Sequence, residues 1–582
     1  MERPGDDASS DDQRSTSRRD FLKRAGLGAA GLAIGGAAGA AVTAAATAHP
    51  PEFAPLPKRA TPGFDHVVVV MFENRSFDNL LGHLYGAHEK SQEEFDGIPQ
   101  GDYFNLGPDG ERIPAHIYSG PTDKIMQSPQ PDPGEHYPHV NTQLFGTVDP
   151  PGNVDIRANG LQPPFNTPPV GAVPDNSGFV EDYIINFRLE KGRMPTPEEY
   201  RVIMGGFSPA MMPVVSTLAP EFGVYDRWFA GVPSQTFCNR MFFHASTSNG
   251  FVTNHGGDGY YKWINGPAAA TIFNRLEEAG ISWRVYYDAS QLVSLTGMLH
   301  APVLQQYWKS NFRVMEQFYW DVEHGNLPAY AFIEPRMTFN HNDMHPPWGE
   351  HVRESNLQLD DGTKVEVYNS ALSDVRAGDA LVQDIYDAIR TSRTTRGSNA
   401  MNTALVITFD EHGGTYDHVP PPSVIPPDRS GPGEMGFMFD RLGVRVPAIV
   451  VSAYTARNTV IHDEMHHGSV INTLCRQHGL RPLTFRDQSA NPIFNAINLT
   501  DPRQPYTWPQ PTALYVPANP EESDASAAAS KHKHRPLTAP ARGLMGLLLA
   551  RFSPGVKAPE TYGEAYDAIV NYGAGLFGTY DS

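Results

Sequence analysis

The chain of 582 residues, 40% hydrophobic and 10% aromatic, is long enough to bury one large core or two domains. Its 45 basic and 65 acidic side chains leave a formal charge of −20 with no basic stripe, which argues against nucleic acid as a partner and against lasting attachment to an anionic bilayer. The two cysteines, Cys238 and Cys475, lack a CxxC spacing, so structural zinc is not indicated and at most one disulfide can form.

In chain order, residues 1–48 come first, with Arg18–Arg19, then Phe21–Leu22–Lys23, a long mild Ala/Gly stretch and a small-residue cleavage pattern at Ala46-Thr47-Ala48. This stretch resembles a twin-arginine signal peptide and is set apart from the fold. So much glycine and alanine packs poorly in lipid, which argues against a membrane anchor. After a Pro-rich lead-in, Val67–Met71 is a continuous apolar, β-branched run that reads as a strand covered on both faces. Residues 86–178 lack periodicity and read as a functional loop or an insertion. Residues 195–229 read as a helix-turn-helix passage leading to a strand at Val224–Tyr225. Residues 271–288 read as an amphipathic helix, a stop at Gly280 and a strand. Strands are expected at 329–335, 403–414 and 444–454, and a helix at 380–392. Helices alternating with apolar strands predict an α/β fold whose sheet is covered on both faces. Residues 506–582 read as a linker and a loosely defined extension, whose "GLMGLLLARF" is too short to span a bilayer.

Three polar clusters stand out. In "MFENRSFD" the apolar run ends in Glu73, Asn74, Arg75 and Asp78; these either cap a short helix, through Asn74, Ser76 or Asp78, or begin a ligand set. In "LVITFDEHGG" a second apolar run ends in Asp410 and Glu411, followed by His412 and two glycines. Two such ends in one parallel sheet converge on one edge. Hard oxygen ligands there suit Mg, Ca or Mn, with histidine admitting Zn or Fe. The third cluster, "GVPSQTFCNRMFF", offers Ser234, Thr236, Asn239 and Arg240. A hydroxyl beside a cation can attack phosphorus while arginine offsets the oxygen charge; the other reading is a Ser/Thr cap on a helix starting near Asn239.

With ENRSFD, the Asn239–Arg240 pair after a threonine, DEHGGTYDHVPPP and GVRVPAIVVSAY in this order, the chain resembles the phosphoesterase family of bacterial phospholipases C, plant non-specific phospholipases C and related acid phosphatases. The resemblance covers residues 61–505, the catalytic domain. It implies an alkaline-phosphatase-like α/β sandwich with a central, mostly parallel sheet flanked by helices. It implies a divalent cation on Glu73, Asn74, Asp410 and Glu411, a nucleophile at Thr236 and substrate contacts from Asn239 and Arg240. It also implies catalytic histidines at His136 and His345. The chain departs from the family at Ser234-Gln235 and Cys238, where relatives carry Gly-Pro and Pro, so Ser234 competes with Thr236; His139 competes with His136, and His341 with His345.

The implied activity is that of a secreted, periplasmic or wall-associated metal-dependent phosphoesterase, exported by the twin-arginine machinery. The expected substrate is a phospholipid diester, cleaved in phospholipase C fashion through a phosphothreonine. The alternatives are an acid phosphatase acting on monoesters and a non-catalytic phosphate-binding exported protein. The aromatic stretches at 259–266 and 305–320 read as core more readily than as an acyl slot. No stable membrane span is expected in the mature chain.

Overall fold

The computed structural model describes residues 55–85, 95–120, 125–146, 165–168, 171–255, 259–339, 341–346, 352–358, 364–369, 374–514, 526, 529–530 and 533–580. The expected export segment, 1–48, lies outside them. The centre is an eight-stranded sheet. In chain order its strands are β1 (His66–Phe72), β2 (Gly223–Tyr225), β3 (Trp283–Tyr287), β4 (Phe312–Val314), β5 (Tyr330–Glu334), β6 (Thr403–Phe409), β7 (Ala448–Val451) and β8 (Thr459–Ile461). Their order across the sheet is β8-β2-β7-β6-β1-β5-β3-β4. The α/β sheet expected from the alternating pattern is present, and it is mostly parallel, as the family resemblance implies.

β1 sits between β5 and β6 and is parallel to both. Val67 to Phe72 are fully buried, which is why a run of valines with no polar alternation is stable here. The register pairs Phe72 with Phe409, so the next residues out, Glu73 and Asp410, leave the sheet side by side. β7 is antiparallel to β6 and to β2. Ala448 pairs with Thr408 near the end of β6, because the chain between them returns to the sheet edge it left and makes no crossover.

The helices used below are α1 (Tyr137–Phe145), α2 (Phe179–Lys191), α3 (Thr236–Ala245), α4 (Val375–Thr391), α5 (Gly468–His478), α6 (Ala539–Phe552) and α7 (Tyr562–Tyr572). α4 buries the stripe Leu381, Val382, Ile385 and Ile389, as its amphipathic sequence requires. Its buried Asp379 accepts hydrogen bonds from Val214 N and Val215 N, both 3.0 Å, at the start of the helix Pro213–Glu221. α1 falls in the stretch expected to be loop: Val140 and Leu144 pack with Phe179, Tyr183, Ile203 and Tyr416 in a core cluster.

The described residues of the C-terminal segment pack onto the rest of the fold. Leu544, Leu547 and Leu548 of α6 are fully buried, and the Phe577 ring lies 4.7 Å from that of Trp308. Gly543 faces Phe237 so closely that a Cβ there would meet the ring at 2.8 Å. Trp263, Trp308, Phe312 and Phe318, from the two aromatic stretches, are all buried as core. Cys238 and Cys475 are buried and unpaired. No described helix is long and apolar enough to cross a membrane.

Candidate active site

The valine strand delivers Glu73 and Asn74, both fully buried, to the sheet edge. Asn74 has a φ of 58°, a region a non-glycine residue enters at some cost. In that conformation its N–H faces Asp410 Oδ1 at 3.4 Å, and its side-chain Nδ2 donates to Glu135 Oε1 at 2.6 Å. Asp410 also accepts from Glu411 N at 2.8 Å. Its own backbone carbonyl is held by His467 Nε2 at 2.5 Å. Glu411 Oε2 accepts from Gly413 N at 2.7 Å.

The two glycines after His412 have a steric reason. Gly413 has φ 60°, and a Cβ there would come within 2.3 Å of the Asn74 carbonyl oxygen. Gly414, at φ 64°, would collide with Pro133 and Gly134. The turn therefore fits between the first acidic motif and the segment carrying Glu135. Gln143 of α1 fastens the same junction: its Oε1 accepts from His412 Nε2 at 2.7 Å, and its Nε2 donates to Gly134 O at 2.7 Å.

α3 completes the site. Its helix begins at Thr236, earlier than expected, so Thr236 and Arg240 stand one turn apart on the same face. Arg240 Nε bonds Asp410 Oδ2 at 3.0 Å, and Arg240 Nη2 lies 3.2 Å from Glu73 Oε1. Ser234 is committed elsewhere, donating its hydroxyl to Val252 O. Asn239 is likewise engaged: its Oδ1 accepts from Val232 N at 3.0 Å and its Nδ2 donates to Ser234 O at 2.6 Å. These bonds shape the loop ahead of α3.

Of the candidate histidines, His345 reaches the acids: Nε2 lies 3.3 Å from Glu135 Oε1 and 3.9 Å from Asp132 Oδ2, while Nδ1 sits 2.6 Å from Pro346 O. His136 is the half-buried N-cap of α1 and makes no side-chain cap bond; the member of its segment that meets Asn74 and His345 is Glu135. His139 turns to Asp182 at 2.6 Å. His341 bonds Asp343 at 3.0 Å and, on its other nitrogen, Tyr562 Oη at 3.1 Å and Thr538 Oγ1 at 3.2 Å.

Burial, then the neighbouring Asp410 charge, holds Glu73 well above the ordinary carboxylate range. Burial, then Glu135 and Asp410, does the same to Glu411, and burial pushes Asp410 up to about 6 against the pull of Arg240. Burial opposes a charge on His345, but Asp132 and then Glu135 more than offset it and raise its pKa well above normal. Neither Glu73 oxygen, nor Asn74 Oδ1, nor Glu411 Oε1 receives a hydrogen bond among the described residues. Apart from the Arg240 ion pair on Glu73 Oε1, these buried oxygens lack a partner to offset their burial, and the set fits a hard divalent cation. Asp132, Glu135 and His345 bring further ligand atoms within 4.8 Å of one another. A second such trio, Asp78, Asp417 and His418, is already satisfied by Arg445, whose Nη2 and Nε bond Asp78 at 3.0 Å and Asp417 at 2.8 Å.

Sequence reasoning missed Asp132, Glu135, Gln143 and His467. "DPGE" was a visible acidic signal; nothing local marks Gln143 or His467.

The sequence profile of the phosphoesterase family matches residues 64–358 and 366–481. Non-specific phospholipase C3 of Arabidopsis thaliana is 31% identical over 480 residues, covering 79% of this chain and 78% of that protein. Phospholipase C B of Mycobacterium tuberculosis is 22% identical over 488 residues, covering 76% and 79%. Among solved structures, a phosphonate monoester hydrolase of Agrobacterium radiobacter matches at 14% identity and TM-score 0.24, over 47% of this chain and 69% of that one. An alkaline phosphatase superfamily protein of Vibrio parahaemolyticus matches at 10% identity and TM-score 0.28, over 55% and 79%.

Proposed function

The chain belongs to the phosphoesterase family and is a hydrolase of phosphoric ester bonds; from that premise we propose that it is an exported phospholipase C acting through a phosphothreonine on Thr236. The observation that carries the reading is the placement of Thr236 one turn before Arg240, which is ion-paired to both Glu73 and Asp410. Relatives named phospholipases C, matched along most of their length, support a glycerophospholipid diester as substrate.

A divalent cation on Glu73, Asn74, Asp410 and Glu411 supplies positive charge that lowers the pKa of a nearby hydroxyl and offsets phosphoryl charge. Thr236, deprotonated, forms a bond from Oγ1 to phosphorus as the bond to the diacylglycerol oxygen breaks. Arg240 faces the same space and stabilises the equatorial oxygens. His345, held protonated between Asp132 and Glu135, gives its Nε2 proton to the departing oxygen. Water then hydrolyses the phosphothreonine and releases the phosphorylated headgroup. Arg18–Arg19 and the Ala/Gly stretch support export by the twin-arginine route.

Purified protein given phosphatidylcholine and p-nitrophenyl phosphate in parallel should release diacylglycerol. Turnover of the monoester alone would favour an acid phosphatase, and no turnover of either would favour phosphate binding without catalysis. Thr236→Ala should lower kcat at least ~10³-fold with metal retained, and Thr236→Ser should keep part of it. Acid-quenched enzyme should carry phosphate on the Thr236 peptide; an adduct on Ser234 would overturn the assignment.

A further inference from the structure

We propose that Asn254 is a positioning residue for the nucleophile: it caps α3 from outside the helix and grips the chain on both sides of Thr236. The proposal rests on the Thr236 reading above and adds what holds that hydroxyl in place.

The residue at the N-cap of α3 is Gln235, a poor capping type, and its side chain makes no cap bond. The second helical N–H, on Phe237, instead donates to Asn254 Oδ1 at 2.8 Å. This is the bond an N-cap side chain ordinarily makes, supplied here by a residue far along the chain. Asn254 returns the contact, its own N–H donating to Gln235 Oε1 at 3.0 Å. One residue pair further back, Ser234 donates to Val252 O. Residues 252–254 are thus fastened to Ser234, Gln235 and Phe237, the neighbours of Thr236. None of these bonds uses the Thr236 hydroxyl, which is left to the site.

The grip is anchored at its far end. Glu434 accepts from Val252 N at 2.8 Å and from Thr253 Oγ1 at 3.1 Å, and pairs with Lys262 Nζ at 2.8 Å. Trp263 Nε1 donates to Asn254 O at 2.7 Å, and its indole stands against the Phe237 ring at 6.0 Å. Asn254 is therefore fixed by its own backbone before its side chain fixes α3. A helix that frays by one residue turns Thr236 off the face it shares with Arg240, and misplacement of that order costs about a hundredfold in rate.

The test compares Asn254→Ala, Asn254→Asp and Thr236→Ala, with Thr196→Ala as a control, since Thr196 caps a different helix through a capping box. Asn254→Ala should lower kcat about 10- to 100-fold with KM nearly unchanged and metal content intact, and should slow phosphothreonine formation in a single turnover by the same factor. Asn254→Asp keeps the acceptor and should restore most of the rate. Thr196→Ala should lower Tm as much as Asn254→Ala while leaving kcat alone. Near-normal kcat in Asn254→Ala with an inactive Thr236→Ala overturns the positioning role only. An active Thr236→Ala overturns the nucleophile reading itself. Failure of Asn254→Asp to restore the rate also rejects the cap.

Discussion

Gly413 stands with φ 60° against the carbonyl of Asn74, and no other residue type fits there. Gly413→Ala combines a left-handed backbone penalty with a contact of 2.3 Å to backbone oxygen that cannot swing away. It should cost at least ~2 kcal/mol in unfolding free energy and displace Asn74, lowering metal content and kcat together. Denaturation curves and elemental analysis of the variant check this; normal metal content with normal turnover would sink it. At this scale the sequence is readable where a polar residue interrupts a strong pattern. Glu73 and Asp410 follow apolar runs, so their place at a sheet edge was legible. Glu135 was not, because "DPGEHYPH" offers neighbouring candidates with no pattern around them. His136 has extended dihedrals, φ −62° and ψ 149°, and adjacent residues in extended chain point opposite ways. Glu135 is the residue of that segment that bonds Asn74.

At the scale of elements, a buried charge network ties the first motif to the second and to the lead-in of β7. His418 bonds Asp78 Oδ2 at 2.7 Å and Asp96 Oδ1 at 3.0 Å, and Arg445 bonds both Asp78 and Asp417. Burial opposes a charge on His418, but Asp78 and then Asp96 outweigh it and push its pKa up to about 9. Because the folded value lies above the unfolded value near 6.5, this contribution is full below about pH 6.5 and is lost as pH rises through about 9. The loss amounts to roughly 3–4 kcal/mol. Asp78, whose pKa is lowered, contributes in the opposite sense, holding above its unfolded value and fading only in acid. Unfolding free energies at several pH values should therefore fall across this window, and His418→Gln should flatten the slope; an unchanged slope would remove His418 as its source. The strands feeding this network were legible from their apolar runs. α1 was not, since Pro138 and two histidines mask the few apolar positions it buries. Nor was the start of α3, because its cap comes from Asn254, which a local reading does not reach.

At the scale of the whole molecule, the two ends of the chain call for different tests. Replacing Arg18 and Arg19 by lysine keeps their charge but removes the planar guanidinium pair. Cell fractionation should then find the protein retained in the cytoplasm, and unchanged export would reject the twin-arginine route. The C-terminal segment acts through packing. Its composition reads as a loose extension because α6 is apolar around much of its circumference, a pattern that carries no directional face. That helix is buried, with Gly543 against Phe237, the residue following Thr236, while Tyr562 and Thr538 at the helix starts meet His341. His341 pairs with Asp343, whose carbonyl accepts the N–H of Glu73 at 2.8 Å. Contacts therefore run from the C-terminal helices to Phe237, beside the proposed nucleophile Thr236, and to Glu73, the first of the proposed ligands. Gly543→Val is the direct probe. Its Cβ alone would meet the Phe237 ring at 2.8 Å, so the ring or α6 has to shift. Overpacking of this kind typically costs about 1–3 kcal/mol. Since Phe237 is the second residue of α3, part of the strain falls on Thr236, and kcat should drop about tenfold or more with the metal still bound. Tyr562→Phe removes only one partner of His341 and should be milder. Steady-state kinetics with thermal melts on both variants decide it: wild-type kcat in Gly543→Val would mean that α6 covers the core without bearing on the site.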